Sequence, residues 1–174
     1  MLGKLCCSVL RKSTTLLNFI SHIVNLGVRI YLFNVFFSSA LTKIKDFSTT
    51  MFLFEHEYKS TWLPLPPSIV KNLGWDIPIM PVSLAAYSGT ALELLLPFAL
   101  LLGFGARIPA LALFMFNYVA AVSYPFLWTK SGLVGLQNHY FWGALLLMLI
   151  FYGSGNLSCD TYLKARFCKK KNIL

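Results

Sequence analysis

The sequence predicts an all-α protein, a four-helix transmembrane bundle, on three observations. Hydrophobic residues make up 57% of the chain against 12% charged. Four apolar runs are long enough to cross a bilayer, and glycine or proline stands at the ends of most of them. A soluble domain carries about 25% charged residues, so this chain has too little polar surface to clothe a globule in water. Four spans of about 20 residues each fit the 174 residues as one domain, 1–174, with short basic tails at 1–15 and 161–174 and one longer loop at 46–80.

The first span is expected from Leu16 to Ser39, behind a leader with Lys4, Arg11 and Lys12. A secretory signal is the competing reading, since Ser38, Ser39 and Ala40 resemble a cleavage site. A signal's apolar core runs only about 7 to 15 residues, however, and this run is longer and holds Arg29, so a retained helix is expected. Next comes a segment from Asp46 to Met80, rich in proline, aromatic and charged residues. Its rings, Phe47, Phe52, Phe54, Tyr58, Trp62 and Trp75, suit the headgroup layer, which makes it an outer loop lying on the membrane.

The second span is expected from Pro81 to Leu102, before Gly103 and Gly105, and the third from Arg107 to Phe126. So short a glycine turn makes the two antiparallel neighbours. A fourth span is expected from Leu136 to Tyr152, stopping at Gly153 and Gly155.

The net charge of +9 would suggest nucleic acid in a soluble protein. Here the basic residues crowd the chain ends beside apolar segments, which suits anionic lipid headgroups, so the lipid bilayer is the expected partner and nucleic acid is not. Nine basic residues (Lys4, Arg11, Lys12, Arg107, Lys164, Arg166, Lys169, Lys170, Lys171) fall on one side of the spans and five (Lys43, Lys45, Lys59, Lys71, Lys130) on the other. The positive-inside rule then puts both termini in the cytoplasm. Cys6, Cys7, Cys159 and Cys168 form no C-x-x-C pair and have no histidines at zinc spacing, which argues against a dithiol relay or structural zinc. Cys6 and Cys7, just before the first apolar run, could carry lipid.

Ionisable groups in hydrocarbon are expensive, and they mark binding sites and proton paths or are paired. Asn18, His22, Asn25 and Arg29 follow helical spacing on the first span, Ala85, Gly89 and Glu93 on the second, and Ala106, Ala110, Leu113, Asn117 and Tyr124 on the third. Each stripe is expected to face the bundle. Counted from the cytoplasmic ends at about 1.5 Å per residue, Arg29, Glu93 and Asn117 come out near the midplane. Two readings stay open: a buried Arg29–Glu93 ion pair that fixes packing, or a cavity for a small polar headgroup or for protons. At the outer surface Glu55, His56, Glu57 and Tyr58, with His139 and Lys43 nearby, could hold a metal ion or protonate a substrate. Ser158 and Asp160 read as a helix cap. Motifs of soluble-enzyme chemistry, such as G-x-G-x-x-G, the P-loop, H-E-x-x-H and G-x-S-x-G, are missing from the sequence.

Several stretches taken in order, SSALTKIKDFSTTMFLFEHEY, PLPP, GTALELLLPFALLLGFGAR, YP, NHYFW and GSGNLSCD, resemble the DoxX family of bacterial membrane proteins over roughly Arg29 to Leu163. The family's recurring positions correspond to Lys43, Glu55, Glu57, Tyr58, Glu93, Arg107, His139, Trp142 and Asp160. Ala40 and Ala106 depart from the family's usual glycine and threonine, both small changes. The resemblance implies a bacterial inner-membrane protein, and some such proteins are linked with quinone-dependent oxidation or membrane redox complexes. On that reading a quinone is the cofactor, Arg29, Glu93, Asn117, Lys43, Tyr58 and His139 line its pocket, and Glu93, Arg29 and His139 are the candidates for proton handling. A peripheral or membrane redox protein would then be the partner. The competing expectation is a non-catalytic accessory protein for metal or oxidative stress defence. A small transporter would need a homo-oligomer, because the chain holds no internal repeat.

Overall fold

The computed structural model describes residues 2–56 and 81–168 and, within them, every side chain other than those of 2–13, 15 and 168. Glu57, Tyr58, Trp62 and Trp75 lie outside the described residues, as do the side chains of Cys6 and Cys7. Helix is the only regular structure among the described residues, in six α-helices and one short 3-10 turn. These are α1 (Leu2–Lys45), α2 (Phe47–His56), α3 (Val82–Leu102), α4 (Arg107–Ser123), α5 (Leu133–Tyr152) and α6 (Cys159–Cys168), with the 3-10 turn Pro125–Trp128 between α4 and α5. The segments Leu16–Lys45, Val82–Leu102 and Leu133–Tyr152 are long and apolar enough to cross a membrane, and α4 is a shorter apolar helix packed among them.

The first helix is longer than its apolar run. It starts at Leu2 instead of Leu16 and continues past Ser39 to Lys45, because nothing in the leader or in ALTKIK breaks a helix. Asp46 makes the corner. Its carboxylate accepts hydrogen bonds from Ser48 Oγ at 2.7 Å, from the Thr49 N–H at 3.0 Å and from Thr49 Oγ1 at 2.7 Å, as an N-cap does. The Thr49 hydroxyl first, then the Thr49 amide and the Ser48 hydroxyl, hold this carboxyl down at about 2. The next ten residues, expected to be loop, form α2. This helix returns along α3, stacking Phe47 on Tyr87 with ring centroids 4.6 Å apart.

Elsewhere the punctuation works locally. Gly103 ends α3 in the left-handed region (φ 66°), with its N–H on the Leu100 carbonyl and the Phe104 N–H on Ala99, which satisfies carbonyls the helix end leaves orphaned. The third span ends at Ser123, short of the expected Phe126. Pro125 forces Tyr124 into an extended conformation, and the chain tightens into the 3-10 turn, where Trp128 Nε1 donates to the Ala121 carbonyl at 2.9 Å.

In cross-section α1 packs along α3, α3 against α4 and α4 along α5. Leu32, Phe36, Leu100, Ala110, Leu113, Leu146 and Leu149 fill the centre. Leu84, Leu95, Ile108, Met115, Leu147 and Phe151 point outward, where lipid is the solvent. Apolar burial drives little association once the surroundings are hydrocarbon, so close packing and interhelical polar contacts must hold the spans together. The α1/α5 seam is closed by side chains: Trp142 Nε1 donates to Tyr31 Oη at 3.2 Å, and Tyr31 meets the edge of Phe141. One end of the bundle carries Gly103 and Gly153 (the glycine end), the other carries Asp46 and Pro125 (the loop end).

Candidate functional site

Glu93 sits on the buried stripe of α3 with Ala86, Thr90, Pro97 and Leu100. Pro97, four residues on, lacks the N–H that would close on the Glu93 carbonyl, so the helix ladder is interrupted where the carboxylate is placed. Glu93 is 8% exposed. Its partner is Lys43, near the end of α1, whose Nζ donates to Glu93 Oε2. Ser39, one turn earlier, donates to the same oxygen at 3.4 Å and accepts from Lys43 Nζ at 3.5 Å. Thr50 of α2 holds the Lys43 backbone from the loop end, its Oγ1 donating to the Lys43 carbonyl at 3.1 Å. This is the sole ion pair among the described residues, and it lies inside an apolar bundle where each charge needs the other to offset its desolvation.

Across the interior, α4 and α5 contribute a second polar pair. Asn117 Nδ2 donates to the His139 backbone carbonyl at 2.8 Å, and its Oδ1 lies 2.8 Å from His139 Nδ1. A carbonyl can only accept, which fixes the amide's orientation and makes Nδ1 the donating nitrogen of the ring. Nε2 is then the free position, with no hydrogen bond among the described residues. Trp142 packs against the same ring at a centroid distance of 5.0 Å, and Lys43 lies within electrostatic reach of it. Gly143 lets the helices approach, since a Cβ there would meet Asn117 Nδ2 at 3.4 Å. The interior therefore holds a donor with spare capacity, Lys43 Nζ, and a free acceptor, His139 Nε2, beside a carboxylate and an aromatic wall of Trp142 and Phe36. Such a set can hydrogen-bond a planar carbonyl compound and exchange protons with it.

The expected meeting of Arg29 with Glu93 and Asn117 does not occur. Arg29 is fully buried, but at the glycine end, where Nη1 donates to the Leu101 carbonyl at 2.9 Å and Nη2 to the Leu157 carbonyl. The Arg29–Glu93 ion pair is corrected accordingly: Glu93 pairs with Lys43, and Arg29 caps the last turn of α3, where a cation suits the helix terminus. The error came from counting depth from Leu16. The helix runs well past the glycine end before it meets the bundle, as Asn25 Nδ2 on the Gly153 carbonyl (2.9 Å) and His22 beside Asn156 (2.8 Å) show. Asn18 is exposed beyond that end.

Arg107 and Asp160 belong to the same corner. Arg107 Nη2 donates to the Phe151 carbonyl at 3.3 Å, and Asp160 Oδ1 accepts the Gly105 N–H at 2.8 Å. Ser158 Oγ accepts the Thr161 N–H at 3.3 Å at the start of α6. At the loop end Glu55 and His56 are exposed, and the imidazole is taken up by the Phe52 carbonyl (3.0 Å) and the Phe52 ring of its own helix. Among the described residues no three potential metal ligands converge, and Glu57 and Tyr58 fall outside them. Ser39 and Thr50 carried no expectation at this site; Ser39 precedes Lys43 by one turn, and that spacing was the available signal.

Comparison with known proteins adds one match and two blanks. The family profile DoxX matches residues 24–125, a stretch that contains Arg29, Lys43, Glu93, Arg107 and Asn117, while His139, Trp142 and Asp160 lie beyond it. No curated protein and no solved structure matches. With more than half of the 174 residues inside the matched stretch, the chain belongs to the DoxX family of multi-pass membrane proteins.

Proposed function

We propose that this chain is the membrane subunit of a redox assembly and that the Lys43, Glu93, Asn117 and His139 cluster holds the ring of a lipid-soluble quinone. The observation that carries the reading is His139, locked by Asn117 with Nε2 free, beside the Lys43–Glu93 pair in an otherwise apolar interior. A bound quinone would supply two carbonyl oxygens and the capacity to take up two electrons and two protons. Lys43 Nζ would donate to one of those oxygens, while His139 Nε2, the ring's acceptor, would accept from a hydroxyl of the reduced form and, once protonated, pass that proton on, with Glu93 holding the ammonium in place. Trp142 and Phe36 offer rings for stacking and keep water from the site. The described side chains include no redox-active group of their own suited to feeding electrons inward, so the electrons come from a partner protein. The nine basic residues that the sequence puts on one side of the spans, against five on the other, would place both termini in the cytoplasm of a bacterial inner membrane.

A structural role is the second reading, and the mutual satisfaction of Lys43 and Glu93 favours it: the chain would then be an accessory protein that organises partners. Quinone extracted from the chain purified in lipid nanodiscs separates the two. The redox reading expects quinone in amounts comparable to the protein, lost in His139→Leu and in the double variant Lys43→Met/Glu93→Leu. Quinone absent after reconstitution with ubiquinone or menaquinone, or retained in both variants, contradicts it.

A further inference from the structure

We infer that the chain pairs in the membrane with a second copy of itself through the outward face of α1. The inward face of this helix is occupied by Asn25, Arg29, Leu32, Phe36 and Ala40, all buried. On the opposite face Ile20, Ile23, Gly27, Asn34 and Ser38 recur at steps of three, four and seven, all exposed, with Tyr31 at the edge of the stripe, exposed but also touching Trp142 and Phe141 of α5. Such spacing is a single straight stripe on a helix.

Two independent features of the stripe ask for a partner. The first is Asn34. It stands five residues beyond Arg29, which is tied to the glycine end, and nine before Lys43, so it lies about 8 Å into the bundle from that end at 1.5 Å per residue. At that depth the outward side chain faces hydrocarbon, yet its amide makes no hydrogen bond among the described residues. Hydrocarbon offers it none, and a polar group left unpaired there is costly. The second is the stretch of α1 beyond the glycine end. Where α3 and α5 have stopped at Gly103 and Gly153, α1 carries Ile20 and Ile23 onward, and both remain exposed among the described residues.

The chemistry selects a second copy over another protein. A carboxamide is donor and acceptor at once, so it is complementary to itself across a two-fold axis. Two copies inserted with the same topology bring their Asn34 residues to the same depth with no further coincidence. Gly27, with open space where a Cβ would stand, and Ser38 allow the two helix backbones to approach closely around that contact. The same parallel pairing then continues past the bundle and covers Ile20 and Ile23 with their own counterparts.

The test uses the full chain in membranes with Cys6, Cys7, Cys159 and Cys168 replaced by serine. Single substitutions Ile23→Cys and Ser38→Cys are expected to give disulfide-linked dimers on mild oxidation, while Leu95→Cys and Leu147→Cys, exposed on other helices, are not. Energy transfer between donor- and acceptor-labelled chains in liposomes should show Asn34→Leu raising the dissociation constant about 3- to 30-fold, with Asn34→Gln recovering much of the loss. The Asn34 side chain has no hydrogen-bond partner among the described residues of its own chain, so the unfolding midpoint of the Asn34→Leu monomer in detergent should not move, which separates lost pairing from lost folding. Equal cross-linking at all four positions, a monomer in liposomes, or unchanged association of Asn34→Leu overturns the inference.

Discussion

Removing the two ends of the Lys43–Glu93 pair separately and together should give unequal and non-additive losses. Glu93 lies nine residues from the end of α3, about 14 Å from the glycine end, and keeps 10% of its side-chain area exposed where Lys43 keeps 22%. Stranding one member of a buried pair costs about 3–5 kcal/mol. After Glu93→Leu the ammonium can swing its four-carbon stem toward the nearby loop end, which places that variant at about 3 kcal/mol or below on the same scale. After Lys43→Met the carboxylate has no such route, and the loss should fall toward the upper bound. The double variant removes both charges and should return to within about 1 kcal/mol of the parent, since apolar replacements of a buried pair are often neutral. The coupling between the two sites is then about 3 kcal/mol or more, far above the few tenths expected of independent positions. Denaturation in mild detergent, followed by helical circular dichroism across all four proteins, measures the cycle. Additive single losses, or a larger loss for Glu93→Leu than for Lys43→Met, would refute the reasoning.

Three further outcomes follow from the two ends of the bundle. Gly103→Ala should be far more damaging than Gly105→Ala: both have positive φ, worth about 1–2 kcal/mol for a residue with a Cβ, but only at Gly103 would the new Cβ meet Ser158 Cβ at 2.5 Å and Arg29 Nη1 at 2.8 Å. Thermal unfolding of the pair in detergent checks the order. Arg29→Lys should destabilise the glycine end despite keeping the charge, because a single ammonium cannot reproduce the fork that reaches both Leu101 and Leu157. Proteolysis in the Gly153–Ser158 segment should accelerate in that variant, and an unchanged digestion rate would count against the capping role. For Asp46, whose folded-state carboxyl titrates at about 2 against an ordinary 3.8, the contribution to the α1–α2 corner is fully present above about 3.8 and is lost as pH falls through about 2. Hydrogen exchange at the Thr49 amide should accelerate over that acid window in the parent and be pH-independent, after correction for intrinsic rates, in Asp46→Asn.

The apolar runs and their punctuation made the architecture legible, because glycine and proline act within a turn or two of themselves. Gly103 and Gly153 end helices where expected, and the α3–α4 corner follows from so short a connection. The register of α1 was not legible. A helix whose apolar run is longer than the bundle gives no local sign of where packing starts, so Arg29 was assigned a depth near Glu93 when it belongs with the carbonyls at the glycine end. The same miscount left Lys43 at the outer surface, although it was grouped with the pocket residues. Its pairing depends on Ser39 and on the interrupted ladder at Pro97, neither of which reveals a partner 50 residues away. Asn117 and His139 could each be singled out as polar residues in apolar company, but their hydrogen bond requires α4 and α5 to be neighbours at a set register. The helical start of the loop, Phe47–His56, was masked by its aromatic and charged residues, even though Asp46 three residues ahead of Thr49 is an ordinary capping arrangement.

The central claim is that the interior cluster receives a quinone ring from the lipid, and photolabelling tests it most directly. The reconstituted chain, irradiated with a photoreactive benzoquinone analogue and mapped by mass spectrometry, should carry label on the α1 and α5 segments around Ser39–Lys43 and His139–Trp142, displaced by excess unlabelled quinone. Label spread over lipid-facing positions such as Leu95, Met115 and Leu147, with no displacement, would contradict the account.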